Sequence, residues 1–180
     1  VYVAPVVIPN APDPAHFHPP PSRAPLASRK LRLISTSWSD NPRKGAGTYQ
    51  WLDQHLDFQR IEYTFAGRVS VPLARIRVVP PMPSGPLAEL LRAHDVYLTA
   101  SEHDPCSNAL LEALACGLPA VYAESGGHPE LVGEAGLPFR EASEIPALLD
   151  RVAADLDGYR SRIRLTSLPD VARRYRAVLL

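Results

Sequence analysis

The stretch "SEHDPCSNALLEALACGLPAVYAESGGHPE" (101–130) decides how the rest of the chain is interpreted. Three acidic side chains, Glu102, Asp104 and Glu112, lie around a Pro-Cys-Ser-Asn turn, and a Gly-Gly pair follows two apolar segments. The first apolar segment (107–117) ends in glycine, which suits the left-handed cap of a helix. Carboxylates and special backbone residues beside buried elements are typical of a binding loop on a rigid scaffold.

Short apolar strands alternate with helical segments from residue 29 onward. Strands are predicted at 31–36, 61–66, 75–79, 96–100 and 119–123, with a further short strand at 6–8. Helices are predicted at 47–58, 85–95, 107–117, 129–134 and 168–180, and residues 143–163 are predicted to form one or two helices. This alternation indicates an α/β fold, a Rossmann-like doubly wound and mostly parallel sheet with helices on both faces. The proline-rich residues 1–28 are predicted to be a linker, and residues 29–180 the folded domain.

The composition indicates a globular domain without a polyanionic partner. The 180 residues are 46% apolar and 21% charged, which suits a chain that buries a core. The 19 basic and 19 acidic residues give zero formal net charge, whereas nucleic-acid-binding domains carry a basic excess. Cys106 and Cys116 show no metal-ligand spacing and no disulfide framework. Free thiols favour a reducing compartment, and no apolar run reaches the roughly 18 residues of a membrane span.

Three polar loops are expected to meet at one edge of the sheet. Ligands of doubly wound sheets bind beyond the carboxyl ends of the strands, where the strand order switches. In the usual order, the first and fourth strands are neighbours there. The loops at 37–46 and 101–108 would then converge, with the loop at 124–128 beside them. These loops are also rich in polar residues and glycines, so topology and composition indicate the same site.

The chemistry of these loops suits a ligand that carries both phosphate and hydroxyl groups. Lys44 can supply a cation, and the free amides of a helix beginning near Pro105 or Cys106 favour an anion. Gly126 and Gly127 allow close backbone approach. Carboxylates repel phosphate but accept hydrogen bonds from hydroxyls. A sugar nucleotide therefore fits better than a simple phosphate.

Residues 101–132 resemble the donor-site signature of the large retaining glycosyltransferase family numbered four, which has the GT-B fold. In that signature an acid and a Glu-Ala pair within a helix precede a Gly-Leu-Pro turn, a strand and a Gly-Gly loop with Pro-Glu. Seven residues separate Asp104 from Glu112, which is the spacing of the family, and Glu102 does not fit it. The loop "NPRKGA" (41–46) resembles the Lys-Gly motif of the same family.

The resemblance implies that the chain is the C-terminal, donor-binding half of a two-domain enzyme. The segment "VVIPNAPDPAHFHP" (6–19) resembles the linker that leads into this half. Asp104 and Lys44 are the implied catalytic residues, the first on the donor sugar and the second on the diphosphate. Glu112 would accept hydrogen bonds from the ribose. The further implied substrate contacts are Arg43, Cys106, Ser107, Asn108, Gly126 and Gly127.

The resemblance also implies the partners and the location of the enzyme. The donor is a nucleotide diphosphate sugar, and the acceptor is a glycan or lipid-linked molecule bound by a preceding domain. This chain by itself is then expected to be inactive. No metal or other cofactor is expected, because cationic side chains and a helix terminus neutralise the leaving diphosphate. The expected setting is polysaccharide biosynthesis in the cytoplasm, with peripheral association at the inner face of the membrane as an option.

The chain departs from the family in three places. The first acid is Asp104 rather than Glu, which is one methylene longer. Ser39 or Trp38 occupies the place of an Arg that often precedes the Lys, and Arg43 is the candidate substitute. Pro-Cys-Ser replaces an aromatic-glycine pair. These departures leave open a nucleotide-sugar-binding module without catalysis, and an epimerase on the same fold is the alternative enzyme. A dehydrogenase is disfavoured, since no G-x-G-x-x-G follows the first strand.

Several candidates also have a structural interpretation. Lys44 has the alternative of a solvated loop lysine, and Asp104 that of a helix N-cap, a position where Asp is favoured. Glu112 has the alternative of a buried carboxylate with a protein partner. Glu102 is predicted to lie at the rim of the site, and His128 to pack beside the glycine turn.

Overall fold

Six parallel strands form one sheet in the computed structural model, which describes residues 7–179. The strands are β1 (Leu31–Ser37), β2 (Ile61–Gly67), β3 (Arg77–Val79), β4 (Val96–Thr99), β5 (Ala120–Ala123) and β6 (Gly136–Phe139). Their order is β3-β2-β1-β4-β5-β6, and each neighbouring pair is parallel. The predicted doubly wound, Rossmann-like sheet is confirmed, with β1 beside β4 at the switch in strand order.

Helices connect the strands. They are α1 (Ala46–His55), α2 (Ser84–Arg92), α3 (Asn108–Ala115), α4 (His128–Val132), α5 (Ile145–Ala154), α6 (Leu156–Ser161) and α7 (Leu168–Leu179). Short 3₁₀ turns lie at Leu26–Ser28, Pro42–Lys44 and Ala142–Glu144. Within residues 7–179, no helix combines the length and the apolar character that crossing a membrane requires.

Both faces of the sheet are buried. Consecutive residues of β1, Leu33 and Ile34, are fully buried and belong to two different apolar clusters. Leu98 and Tyr97 of β4 divide between the same two clusters. Strands that are covered on both faces appear as continuous apolar runs rather than alternating patterns, which is why these short runs could be recognised in the sequence.

The structure corrects the sequence interpretation in three places. Strand β6 was not predicted because it contains Pro138, a residue that interior strands avoid; as an edge strand, β6 tolerates it. Of the one or two helices predicted at 143–163, the structure has two, α5 and α6, and the Asp155 carboxylate caps α6. Strand β3 begins later than predicted because the Asp53 carboxylate accepts the backbone N–H groups of residues 74–76. Residues 7 and 8 are not in a strand, and residue 6 lies outside the described range.

The proline-rich segment packs onto the domain. Phe17 is buried in the apolar cluster on one face of the sheet. The Arg23 guanidinium donates hydrogen bonds to the carbonyl oxygens of His94 at 2.8 Å and Cys116 at 2.5 Å. These bonds join the segment to the chain that follows α2 and α3. The division into a linker of residues 1–28 and a domain of residues 29–180 stays a prediction.

The loop after β1 is pressed against the end of β4. Gly45 has a φ angle of 81°, and a Cβ atom at this position would overlap the backbone and the side chain of Ala100. Only glycine combines this left-handed backbone with so close an approach. The backbone N–H of Glu102 also donates to the Arg43 carbonyl at 2.8 Å. The two loops are therefore joined through their main chains, which places Lys44 beside the residues that follow β4.

Replacement of Gly45 tests this contact. Gly45→Ala should lower the free energy of unfolding by about 2–4 kcal/mol, since it combines a strained left-handed backbone with overpacking. Gly47→Ala is the matched control, because a Cβ atom there meets nothing within 4 Å. The control should leave stability unchanged or raise it by up to about 1 kcal/mol. Urea unfolding of both variants provides the measurement, and equal stabilities would show that the loop is not held against β4.

Candidate functional site

A cleft of about 320 Å³ lies beyond the carboxyl ends of β1 and β4. Five of the predicted site residues line it: Lys44, Asp104, Cys106, Ser107 and Asn108. A larger hollow of about 510 Å³ lies at the amino ends of β1 and β2, at the opposite end of the strands from the cleft. Because ligands of doubly wound sheets bind at the carboxyl edge, the smaller cleft is the better candidate.

Lys44 and Asp104 form an ion pair in this cleft. The Lys44 Nζ atom lies 3.1 Å from the Asp104 Oδ2 atom and 3.4 Å from the Ser101 Oγ atom. The Lys44 side chain is 39% exposed and that of Asp104 15%. Lys44 is therefore not a freely solvated loop lysine. Its ammonium is held among cleft residues and stays accessible to a ligand.

Ser107, and not Asp104, caps helix α3. The Ser107 Oγ atom accepts a hydrogen bond from the Leu110 N–H at 3.4 Å, and α3 begins at Asn108. The helix therefore begins later than the expected start near Pro105 or Cys106, and within one residue of the start of the helix predicted at 107–117. The N-cap interpretation of Asp104 is wrong, and its carboxylate points instead to Lys44.

The Gly-Gly pair packs against the loop after β4. A Cβ atom at Gly126 or Gly127 would overlap the backbone of residues 104–105. The Gly127 N–H donates to the Asp104 carbonyl at 2.9 Å, and the His103 N–H donates to the Ser125 Oγ atom at 2.9 Å. The close approach indicated by the sequence is thus made to the protein itself, and it positions Asp104. Direct contact of these glycines with a ligand stays a prediction.

The Glu112 carboxylate has no hydrogen-bond or ion-pair partner in the part of the chain that the structure describes. It lies one helical turn after Asn108, so the two residues share a face of α3. Burial raises the pKa of the Glu112 carboxyl to about 7. None of the hydrogen bonds or ion pairs found within residues 7–179 involves its side chain. The alternative interpretation of Glu112, a buried carboxylate with a protein partner, is therefore not supported by the described residues. A desolvated and unpaired acid is unfavourable for stability and is typical of a functional position.

Arg43, Glu102 and His128 do not line the cleft. Arg43 and Glu102 are exposed, and neither side chain borders the cleft. This position agrees with the predicted rim location of Glu102. His128 is fully buried, with its Nδ1 atom 3.1 Å from the Ala123 carbonyl, as expected for a residue that packs beside the glycine turn. Desolvation lowers the pKa of His128, so its imidazole is neutral near pH 7.

Sequence reasoning missed the hydroxyl groups that form the floor of the cleft. The Thr36 Oγ1 atom and the Tyr97 hydroxyl lie 3.0 Å apart, and both residues line the cleft together with Thr99. The signal in the sequence was a hydroxyl residue near the end of an otherwise apolar strand. Such residues are common in buried strands, so only their meeting at one edge identifies them as lining residues.

Comparison with known proteins identifies the family to which this chain belongs. The family described as "Glycosyl transferases group 1" matches residues 47–157. A D-inositol 3-phosphate glycosyltransferase of Corynebacterium efficiens is 35% identical over 138 residues, which cover 76% of this chain and 29% of that protein. The enzyme of the same name from Corynebacterium glutamicum is 29% identical over 139 residues, which cover 76% and 30%. The chain thus spans less than a third of these relatives.

Solved structures share the fold. Sucrose-phosphate synthase of Thermosynechococcus elongatus superposes with a TM-score of 0.75 at 20% identity, over 95% of this chain and 51% of that one. Anabaena HepE in complex with UDP and glucose gives a TM-score of 0.73 at 18% identity, over 97% and 56%. The C-terminal domain of a group 1 glycosyl transferase from Francisella tularensis gives 0.60 at 16% identity, over 92% and 98%. The chain belongs to the group 1 glycosyltransferases and has the Rossmann-like fold of the C-terminal half of a GT-B enzyme.

Proposed function

We propose that this chain is the donor-binding domain of a retaining glycosyltransferase. It binds a nucleotide diphosphate sugar, and the complete enzyme transfers the sugar to a glycan or other acceptor. The observation that carries the proposal is the Lys44–Asp104 pair, a cation and a carboxylate in one cleft at the switch in strand order. The structure of Anabaena HepE with UDP-glucose supports a donor of this class.

Lys44 binds the diphosphate in this mechanism, and Asp104 binds the hydroxyls of the donor sugar. In the structure the two side chains neutralise each other. A diphosphate that enters the cleft attracts the ammonium and leaves the carboxylate free to accept hydrogen bonds from the sugar. The leaving diphosphate gains negative charge as the glycosidic bond breaks, so a cation already in place stabilises the transition state. The amides of Cys106, Ser107 and Asn108, at the positive end of α3, add to this stabilisation.

Glu112 binds the ribose in this proposal. Its carboxylate lies one turn below the cleft residues of α3 and has no protein donor within residues 7–179. Ribose hydroxyls supply the missing hydrogen bonds. A bound nucleotide then lies along α3, with its ribose near Glu112 and its diphosphate near Lys44.

The acceptor and the cellular setting are part of the proposal. The chain covers 29% and 30% of the two Corynebacterium relatives, so most of each relative lies outside the matched region. We assign the acceptor to a separate domain of the complete protein and the reaction to the cytoplasm, at the inner face of the membrane where the acceptor is lipid-linked. The free thiols of Cys106 and Cys116 support a reducing compartment.

A nucleotide-sugar-binding module without catalysis is the second candidate. The observation that favours it is Asp104, which is shorter than the usual Glu and is already paired with Lys44. Both candidates require donor binding, and only the first requires that Asp104 contribute to turnover. Kinetics of the complete protein therefore distinguish them.

Lys44→Ala tests the diphosphate contact. It should weaken the binding of a nucleoside diphosphate by about 1.5–3 kcal/mol, the range for a lost hydrogen bond to a charged group. Binding of the nucleoside should change little. Calorimetry with UDP, GDP, ADP, CDP and TDP provides the measurement, and a chelator should leave binding unchanged. Lys30→Ala is the control, because Lys30 lies at the opposite edge of the sheet. An equal effect of Lys44→Ala on nucleoside and diphosphate would contradict the assignment.

The pH dependence of donor binding tests Glu112. Its raised pKa means that the folded protein favours the protonated acid, so the contribution of Glu112 to stability falls as pH rises from about 4.5 to about 7. Ribose hydroxyls donate to the ionised form, so affinity for a nucleotide sugar should rise through about pH 7 and binding should release a proton. Calorimetry in buffers of different ionisation enthalpy measures this release. Glu112→Gln should abolish it, and a release that persists in the variant would exclude Glu112 as its source.

Steady-state kinetics of the full-length protein test Asp104 against its neighbour. Asp104→Asn should lower kcat by about 10²-fold or more, since a preorganised contact to the reacting sugar is lost. Glu102→Gln, an exposed acid two residues away, should change kcat by less than about fivefold. If Glu102→Gln is the impaired variant, the motif is aligned to the wrong acid. If neither variant differs from an active wild type, Asp104 does not contribute to turnover.

A further inference from the structure

The cleft carries little positive charge for the ligand proposed for it. Among the described residues that line the cleft, Lys44 supplies the one cation and Asp104 the one carboxylate, and the two are already paired. The diphosphate of a nucleotide sugar adds two negative charges. Glu112, when ionised, adds another on the same side of α3. Binding of such a ligand therefore calls for a second cation at the edge of the cleft.

Arg68 is fixed at this edge by the end of β2. Gly67, the last residue of β2, pairs with Ser37, and a Cβ atom at Gly67 would overlap the Ser37 carbonyl. The next residue, Arg68, donates its backbone N–H to the Ser37 carbonyl at 2.8 Å. Its Nη1 atom donates to the Trp38 carbonyl at 3.1 Å. Ser37 and Trp38 both line the cleft, so the guanidinium lies against the outer side of its wall.

The Arg68 guanidinium is available to an anion. The side chain is exposed, and the ion pairs found within residues 7–179 do not include it. Its Nη1 atom donates a hydrogen bond to a neutral carbonyl oxygen. Such a hydrogen bond is weaker than one to a phosphate oxygen. Arg68 and Lys44 also border one small hollow beside the loop after β1. Lys44 thus lies on this loop and Arg68 beside it, and Arg68 has no acidic partner among the described residues.

We propose that Arg68 is the second cation that binds the donor diphosphate, together with Lys44. This inference rests on the proposed function. The diphosphate draws the guanidinium from the Trp38 carbonyl and receives a two-pronged contact, for which arginine is suited. Arg43, the substitute considered from the sequence, is less well placed. Its side chain borders neither the cleft nor the small hollow, and its carbonyl already accepts the Glu102 N–H.

Calorimetry on the 180-residue chain tests the assignment. The probe is whichever of UDP, GDP, ADP, CDP and TDP binds the wild type, with its nucleoside as the uncharged comparison. Arg68→Ala should weaken diphosphate binding about tenfold or more and leave nucleoside binding almost unchanged. The dependence of diphosphate binding on salt should also become shallower, because one charge contact is lost. Arg68→Lys should recover part of the affinity, since it keeps the charge and loses the two-pronged geometry.

Arg60→Ala is the matched control, an exposed arginine at the opposite end of the strands, and it should bind the diphosphate like the wild type. Three results would overturn the proposal. If Lys44→Ala loses affinity and Arg68→Ala does not, the diphosphate contacts Lys44 without Arg68. If Arg43→Ala shows the loss instead, Arg43 is the second cation. If the wild type binds none of the diphosphates, the proposed function fails and the role of Arg68 fails with it.

Discussion

The end of pairing between β1 and β4 is the constraint on which the site depends. The two strands pair over two residues each, Leu33 with Val96 and Ile34 with Tyr97. Beyond this point, β1 stays paired with β2 up to Ser37. The chain on either side of the switch then continues into connections that belong to opposite halves of the sheet, so a crevice opens between them. The hydroxyls of Thr36 and Tyr97 lie at its floor.

Lys44 and Asp104 neutralise each other within the site. The Lys44–Asp104 pair is partly exposed, and pairs of this kind contribute about 0–1 kcal/mol to stability. In the proposed function, a diphosphate would separate the pair at little expense in free energy and would gain a cation that the fold has already placed. Glu112 differs, because burial without a partner disfavours its charged form. Asp104 is thus neutralised by Lys44, whereas Glu112 has no such partner among the described residues.

The glycines of the site act through the protein and not only through space for a ligand. Gly45 lets the loop after β1 reach Ala100, and Gly126 lets the loop after β5 reach the backbone of Asp104. The contact at Gly45 fixes the backbone next to Lys44, and the contact at Gly126 fixes the backbone of Asp104. The sequence indicated close backbone approach at Gly126 and Gly127, and gave no such indication for Gly45. It could not identify the partner, since the sequence does not distinguish a glycine that approaches a ligand from one that approaches another loop.

The sequence alone determined the alternation of strands and helices, the spacing between Asp104 and Glu112, and the glycines, because each depends on neighbours along the chain. Its failures came where a distant group decides. Asp53 delays the start of β3 through residues 74–76, and an edge position makes Pro138 acceptable in β6. Only the tertiary structure brought Lys44 onto Asp104, 60 residues away, and Arg68 onto the Trp38 carbonyl. These contacts follow from strand order and burial, which arise from packing the whole sheet and leave no periodic signal in the sequence.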